Sequence, residues 1–139
     1  MFKKFLTILL CFITAVAASV AAGCGGGGGG NSLTVTFTQQ GKTVKTVSVK
    51  SGEKIAQSSV DAPAQEQPEC VTEWNFDFSL PVTEDMTVNT TYYTAGVSFS
   101  SSLTGDYYII TGYKGEYSQV YLPDFYKGKP VTAIKADAF

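Results

Sequence analysis

The chain has 139 residues, 10 basic and 12 acidic side chains, no histidine and a formal charge of −2. Every basic residue is lysine, and without Lys3 and Lys4 at the start the balance is eight against twelve, about −4. That sign, with no basic cluster, argues against recognition of a phosphate backbone and so against nucleic acid; the lack of histidine removes the commonest general base and metal ligand.

Met1 to Lys4 form a short positive segment, residues 5–18 are apolar but for threonines, and residues 19–23 are mostly small. This is the three-part order of a secretory signal peptide. The apolar run falls short of the roughly 20 residues of a membrane-spanning helix, although an uncleaved anchor helix is the simpler alternative. Val20-Ala21-Ala22-Gly23-Cys24 resembles the bacterial lipoprotein lipobox, with Ala21 where that family prefers leucine. The resemblance implies that residues 1–23 are removed, that Cys24 receives a diacylglyceryl group, and that the chain is held outside the cytoplasm on the bacterial cell membrane. Each buried methylene contributes about 0.8 kcal/mol, so two acyl chains hold where one does not. Residues 24–32 continue with six glycines, Asn31 and Ser32. Such a segment is flexible coil and is expected to be a tether. A phosphate-cradling loop is not supported, because no strand precedes it and no Gly-Lys-Ser/Thr follows.

Residues 33–94 read as a first module. Leu33, Val35 and Phe37 alternate with threonines, residues 39–42 supply a turn, and residues 43–50 alternate again, which predicts a β-hairpin. Val44 and Val47 are three apart, which calls for a bulge. Residues 55–60 suit one or two short helical turns and residues 62–67 a loop. Trp74, Phe76 and Phe78 alternate within residues 71–78, which predicts a strand with one aromatic face. Residues 81–85 turn the chain, and residues 86–93 predict a closing strand. The order of Ser51-Gly52-Glu53-Lys54-Ile55, Trp74, and the run from Phe76-Asp77-Phe78-Ser79-Leu80 to Met86-Thr87-Val88 resembles the Listeria–Bacteroides repeat, a small β-grasp-like module of bacterial surface proteins. Glu73 stands where that family usually has glycine, and the closing strand ends in Thr90-Thr91-Tyr92-Tyr93 instead of Ala-Lys-Trp. The resemblance implies a spacer or binding module with no catalytic residues.

Residues 95–139 form a second segment. Residues 97–103 are serine-rich and read as linker or edge strand; short strands are expected at 107–111, 118–122 and 131–134, with turns at 112–116 and 124–129. Tyr108-Ile109-Ile110-Thr111-Gly112-Tyr113, Val120-Tyr121-Leu122-Pro123, Gly128-Lys129-Pro130-Val131-Thr132-Ala133-Ile134 and Ala138-Phe139 together resemble the start of a BspA-type leucine-rich repeat array, with Lys135 where glycine is usual. A solenoid repeat needs about three neighbours to bury its face, so the resemblance implies a piece of a longer surface protein. The expected fold class is thus mainly β (α+β), a β-grasp-like module followed by short strands of an incomplete leucine-rich repeat.

Chemistry-bearing residues are sparse. Of three cysteines, Cys11 lies in the leader and Cys24 at the lipobox, so Cys70 is left without a disulfide framework and reads as a partly buried small residue. Glu84-Asp85 falls in a predicted turn, where aspartate bonds its own backbone. Asn89-Thr90-Thr91 matches a glycosylation sequon, to which a bacterial lipoprotein gives little meaning. No catalytic residue, metal or cofactor is expected. All eight tyrosines fall between Tyr92 and Tyr126. Tyr107, Tyr108, Tyr113, Tyr117, Tyr121 and Tyr126 are the candidate binding surface, for an extracellular protein or glycan; strand-forming, half-buried positions are the plainer account. Two functions are expected: an adhesion or binding lipoprotein, or a stalk presenting a C-terminal repeat region.

Overall fold

A computed structural model describes residues 30–139; the leader, Cys24 and residues 25–29 lie outside the described residues. The protein is mainly β, with two four-stranded mixed sheets and one 3-10 turn. Strands β1 (Ser32–Gln39), β2 (Lys42–Lys50), β3 (Cys70–Trp74) and β4 (Met86–Thr94) form the first sheet in the order β2-β1-β4-β3. The two inner strands, β1 and β4, run parallel, and each outer strand is antiparallel to its neighbour.

The hairpin follows from alternation and from its turn. Gln40 and Gly41 both have positive φ, at 50° and 76°, the pair of left-handed residues that a two-residue hairpin loop needs to match strand twist. Phe37 faces Lys45 and Thr38 faces Thr43, so Val44 is the extra residue of a bulge. That bulge turns Val44 to solvent while Val47 and Val49 pack on the core. Val35 and Phe37 are fully buried on the inner strand.

The connection from β2 to β3 lies over one face of this sheet. Gly52 N–H donates to the Val82 carbonyl at 2.7 Å, and Val82 N–H donates to Glu53 O at 2.8 Å. The expected helical turn is the 3-10 element Gln57–Ser59, flanked by buried Ile55 and Val60. Further along, the Gln39 carboxamide clasps Ala64, donating to its carbonyl at 2.7 Å and accepting from its N–H at 3.0 Å. The Trp74 indole N–H donates to Asp61 O at 2.8 Å. The connection therefore supplies both apolar cover and satisfied polar groups.

The strand expected over 71–78 ends at Trp74. Beyond it the Asp77 carboxylate accepts from Ser79 N–H at 2.9 Å and Ser79 hydroxyl at 2.5 Å, a local turn that displaces ladder pairing. The turn still delivers both phenylalanines to the core. Phe37 meets Trp74 edge-on with ring centroids 5.2 Å apart and stacks on Phe78 at 6.1 Å, while Phe76 meets Phe78 at 4.9 Å.

Strands β5 (Val97–Ser101), β6 (Tyr108–Tyr113), β7 (Phe125–Tyr126) and β8 (Lys129–Ile134) form the second sheet, ordered β5-β6-β8-β7 with β6 and β8 parallel. The strand expected at 118–122 is instead irregular. Its backbone makes one tether: Thr94 N–H donates to Tyr121 O at 3.0 Å and Tyr121 N–H donates to the Thr94 hydroxyl at 2.7 Å. Pro123 then removes the donor a longer ladder would need. The sheets meet at the turn after β4, where Gly96 has φ +98° and a Cβ would fall 2.5 Å from Lys114 O. Glycine is required there on both counts. Tyr93, at the end of β4, packs with Val97 and Ile110 in the second core.

Candidate binding surface

The six candidate tyrosines do not form one surface. Tyr108 and Tyr126 are half-buried, in a ring cluster centred on Tyr126. That ring stacks on Phe99 with centroids 4.2 Å apart and meets Tyr108 at 4.9 Å and Tyr93 at 5.8 Å. Tyr93 is buried and its hydroxyl donates to Glu73 at 2.7 Å. Burial, then the adjacent carboxylate, pushes the Tyr93 phenol far above its ordinary range, and burial and Glu73 raise that of Tyr126 as well. These rings are packing, with Lys127 Nζ 5.5 Å from the Tyr126 centroid as an outer cap.

Tyr113 is half-buried against Phe139, centroids 5.9 Å apart. Its hydroxyl accepts from Tyr117 N–H at 3.0 Å and so closes the loop after β6. Tyr107, Tyr117 and Tyr121 are the exposed members. Tyr107 precedes β6 and Tyr117 follows it, which separates them by roughly 20 Å of strand. Tyr121 lies edge-on to Tyr92, ring centroids 6.2 Å apart. Leu122, at the end of the expected 118–122 strand, and Phe125, expected in a turn but placed in β7, are exposed beside it. The signal was available: apolar Leu122 and Phe125 lie on either side of Pro123.

Two hollows lie along the seam between the sheets. The larger, about 580 Å³, has Trp74, Phe76 and Phe78 in its wall and Glu73, Asp77 and Lys127 among its polar lining. Partial burial opposes ionisation of Asp77, but the Ser79 hydrogen bonds and the charges of Lys127 and Lys129 outweigh it and hold the carboxyl below its usual range. The smaller, about 370 Å³, lies between β4 and the 121–125 loop. It joins Tyr92, Tyr121 and Phe125 to the polar side chains of Glu66, Asn75, Asn89 and Asp124.

Other candidate groups are tied into the fold. Asp85 accepts from Thr34 N–H at 2.6 Å, a backbone link from the turn to β1. Cys70 is a buried free thiol. Among the described residues no three or more Cys, Asp or Glu side chains converge as a metal site would. None of the described helices is long and apolar enough to cross a membrane. No family model, curated protein or solved structure matches the chain.

Proposed function

We propose that this chain is a non-enzymatic lipoprotein, anchored through lipid on Cys24 to the outer side of a bacterial cell membrane, that binds an extracellular protein or glycan. The observation that carries the binding reading is the placement of uncovered apolar side chains. Of the eleven large hydrophobics left exposed among the described residues, eight lie in residues 103–139. Exposed apolar groups that lie together on a domain's surface mark interaction sites. Tyr121, Leu122 and Phe125 form the group nearest a hollow. The anchor rests on the leader and on Val20-Ala21-Ala22-Gly23-Cys24. The sheet order β2-β1-β4-β3 with a parallel central pair supports the β-grasp-like resemblance of residues 33–94. A second reading, a stalk presenting a leucine-rich repeat region, is favoured by Ile134 and Phe139, which stay 54% and 63% exposed at the far end of the second sheet.

Full-length lipoprotein in detergent, passed over arrays of extracellular-matrix proteins and glycans, is expected to be retained by at least one class. Silence on both would refute the binding reading and leave the stalk. Radiolabelled palmitate is expected to enter the wild-type chain and to vanish with Cys24→Ala; continued labelling would defeat the anchor.

A further inference from the structure

We infer that the smaller hollow, between β4 and the 121–125 loop, is a carbohydrate subsite that takes one residue of a neutral glycan; this rests on the binding reading above and narrows it to one place and one chemistry. The aromatic part is uncovered. Tyr121 is 42% and Phe125 50% exposed, and half-buried Tyr92 stands beside Tyr121. A sugar ring has an apolar C–H face that packs on such rings, while its hydroxyls need donors and acceptors nearby.

Both are present with spare capacity. Asn75 Oδ1 accepts from Gly128 N–H at 2.6 Å, and Asn89 Oδ1 accepts from the Thr38 hydroxyl at 2.5 Å. With the oxygens turned to the protein, each carboxamide keeps an NH2 group that donates to none of the described residues. Glu66 Oε1 accepts from the Thr90 hydroxyl and from Gln39 Nε2, which leaves Oε2 for a ligand. The Asp124 carboxylate accepts from none of the described residues. A sugar hydroxyl donates and accepts at once, so two amide donors beside two carboxylate acceptors match vicinal hydroxyls.

The charge selects among glycans. Glu66 and Asp124 line the hollow and no lysine does. Sialic acid, sulfate or phosphate would meet like charge there. The backbone argues against an extended peptide. Pairing of β4 with β1 stops at Asn89, and beyond it the 121–125 loop already occupies that side, through Thr94 N–H to Tyr121 O and the Thr91 hydroxyl to Phe125 O at 2.9 Å. The loop thus stands where an added strand would have to enter the hollow beside β4.

The test applies the full chain in detergent to an array of neutral, sialylated and sulfated oligosaccharides and extracellular-matrix proteins, then measures the best glycan by calorimetry. A neutral glycan is expected to bind best. Tyr121→Ala and Asp124→Asn are each expected to weaken it roughly tenfold or more, the loss of a stack or of a charge-assisted hydrogen bond. Tyr107→Ala, outside the hollow, is expected to leave it nearly unchanged. The Asp124 carboxylate supports no internal hydrogen bond, so its variant keeps the test valid if Tyr121→Ala disturbs the loop. Preference for acidic glycans, or neutral binding indifferent to both changes, would overturn the inference. Retention by a matrix protein alone would overturn it while sparing the binding reading, and silence throughout would remove both.

Discussion

The two sheets share a pairing scheme and differ in what covers them. Each is four-stranded, with antiparallel outer pairs around one parallel central pair. The first gathers seven buried apolar residues, among them Phe37 and Trp74. The second gathers three, and one of these, Tyr93, is borrowed from β4 of the first sheet. The pairing scheme is the same in both, with shorter ladders in the second; cover differs more. The long β2–β3 connection lays Ile55 and Val60 over the first sheet, and the Asp77 turn brings Phe76 and Phe78 beside them. The corresponding connection in the second sheet, residues 114–124, is spent along the seam, where Tyr121 tethers to Thr94. The second half is therefore the less covered: from that connection Val120 packs on its core, while Tyr117, Tyr121 and Leu122 stay exposed.

This contrast is sharpest in truncations. Phe37→Ala should cost about 3–5 kcal/mol, since a fully buried ring leaves a cavity walled by Trp74, Phe76 and Phe78. Ile110→Ala, the same experiment in the thinner core, should cost about 2–3 kcal/mol, because half-exposed neighbours such as Phe99 and Val131 can relax into the gap. Urea unfolding followed by Trp74 fluorescence measures the first, and amide exchange across β6 the second. Equal losses would mean that the two cores are equally well packed. At the junction, Gly96→Ala should cost about 2 kcal/mol, from a left-handed φ and a clash with Lys114 O. Its expected signature is faster exchange at the Lys114 amide, which donates to Gly96 O at 2.9 Å, while the amides of Val35 and Phe37 stay protected.

Local chemistry was readable in the sequence; long-range placement was not. Alternation from Leu33 to Phe37 located the hairpin, and the three-residue step from Val44 to Val47 located its bulge. The aromatic spacing of Trp74, Phe76 and Phe78 identified three residues of one core but the wrong element, because a turn held by Asp77 presents alternate side chains to the same side as a strand would. Val120 and Leu122 alternate as a strand does, yet among the described residues the backbone between them pairs with Thr94 alone. The candidate site was the least legible part. Tyrosines that form strands and tyrosines that bind ligands have the same local signature, so Tyr108, Tyr113 and Tyr126 were grouped with Tyr121. Asn89 was visible only as the start of Asn89-Thr90-Thr91. Its neighbours in the hollow, Asn75 and Asp124, are brought there by the pairing of β3 with β4 and by the return of the chain through the seam.

The smallest of these effects addresses the residue that both halves share. Tyr93→Phe keeps the ring in the second core and deletes the hydroxyl that donates to Glu73 on β3, leaving a half-buried carboxylate without that donor. The expected loss is about 1.5 kcal/mol at neutral pH, that of a hydrogen bond to a charged acceptor. The alkaline limb separates this bond from simple packing. Burial and Glu73 raise the folded phenol above the ordinary value of about 10, so the folded state holds its proton more tightly than the unfolded chain. That contribution is fully present below pH of about 10 and is lost as pH rises through the folded value. Wild-type stability should therefore fall above pH of about 10, and Tyr93→Phe should flatten the fall. Some slope should persist, because the Tyr126 phenol is also raised. An unchanged alkaline limb in Tyr93→Phe would mean that Tyr93 titrates as a free phenol and that the tie between β3 and the second core is packing alone.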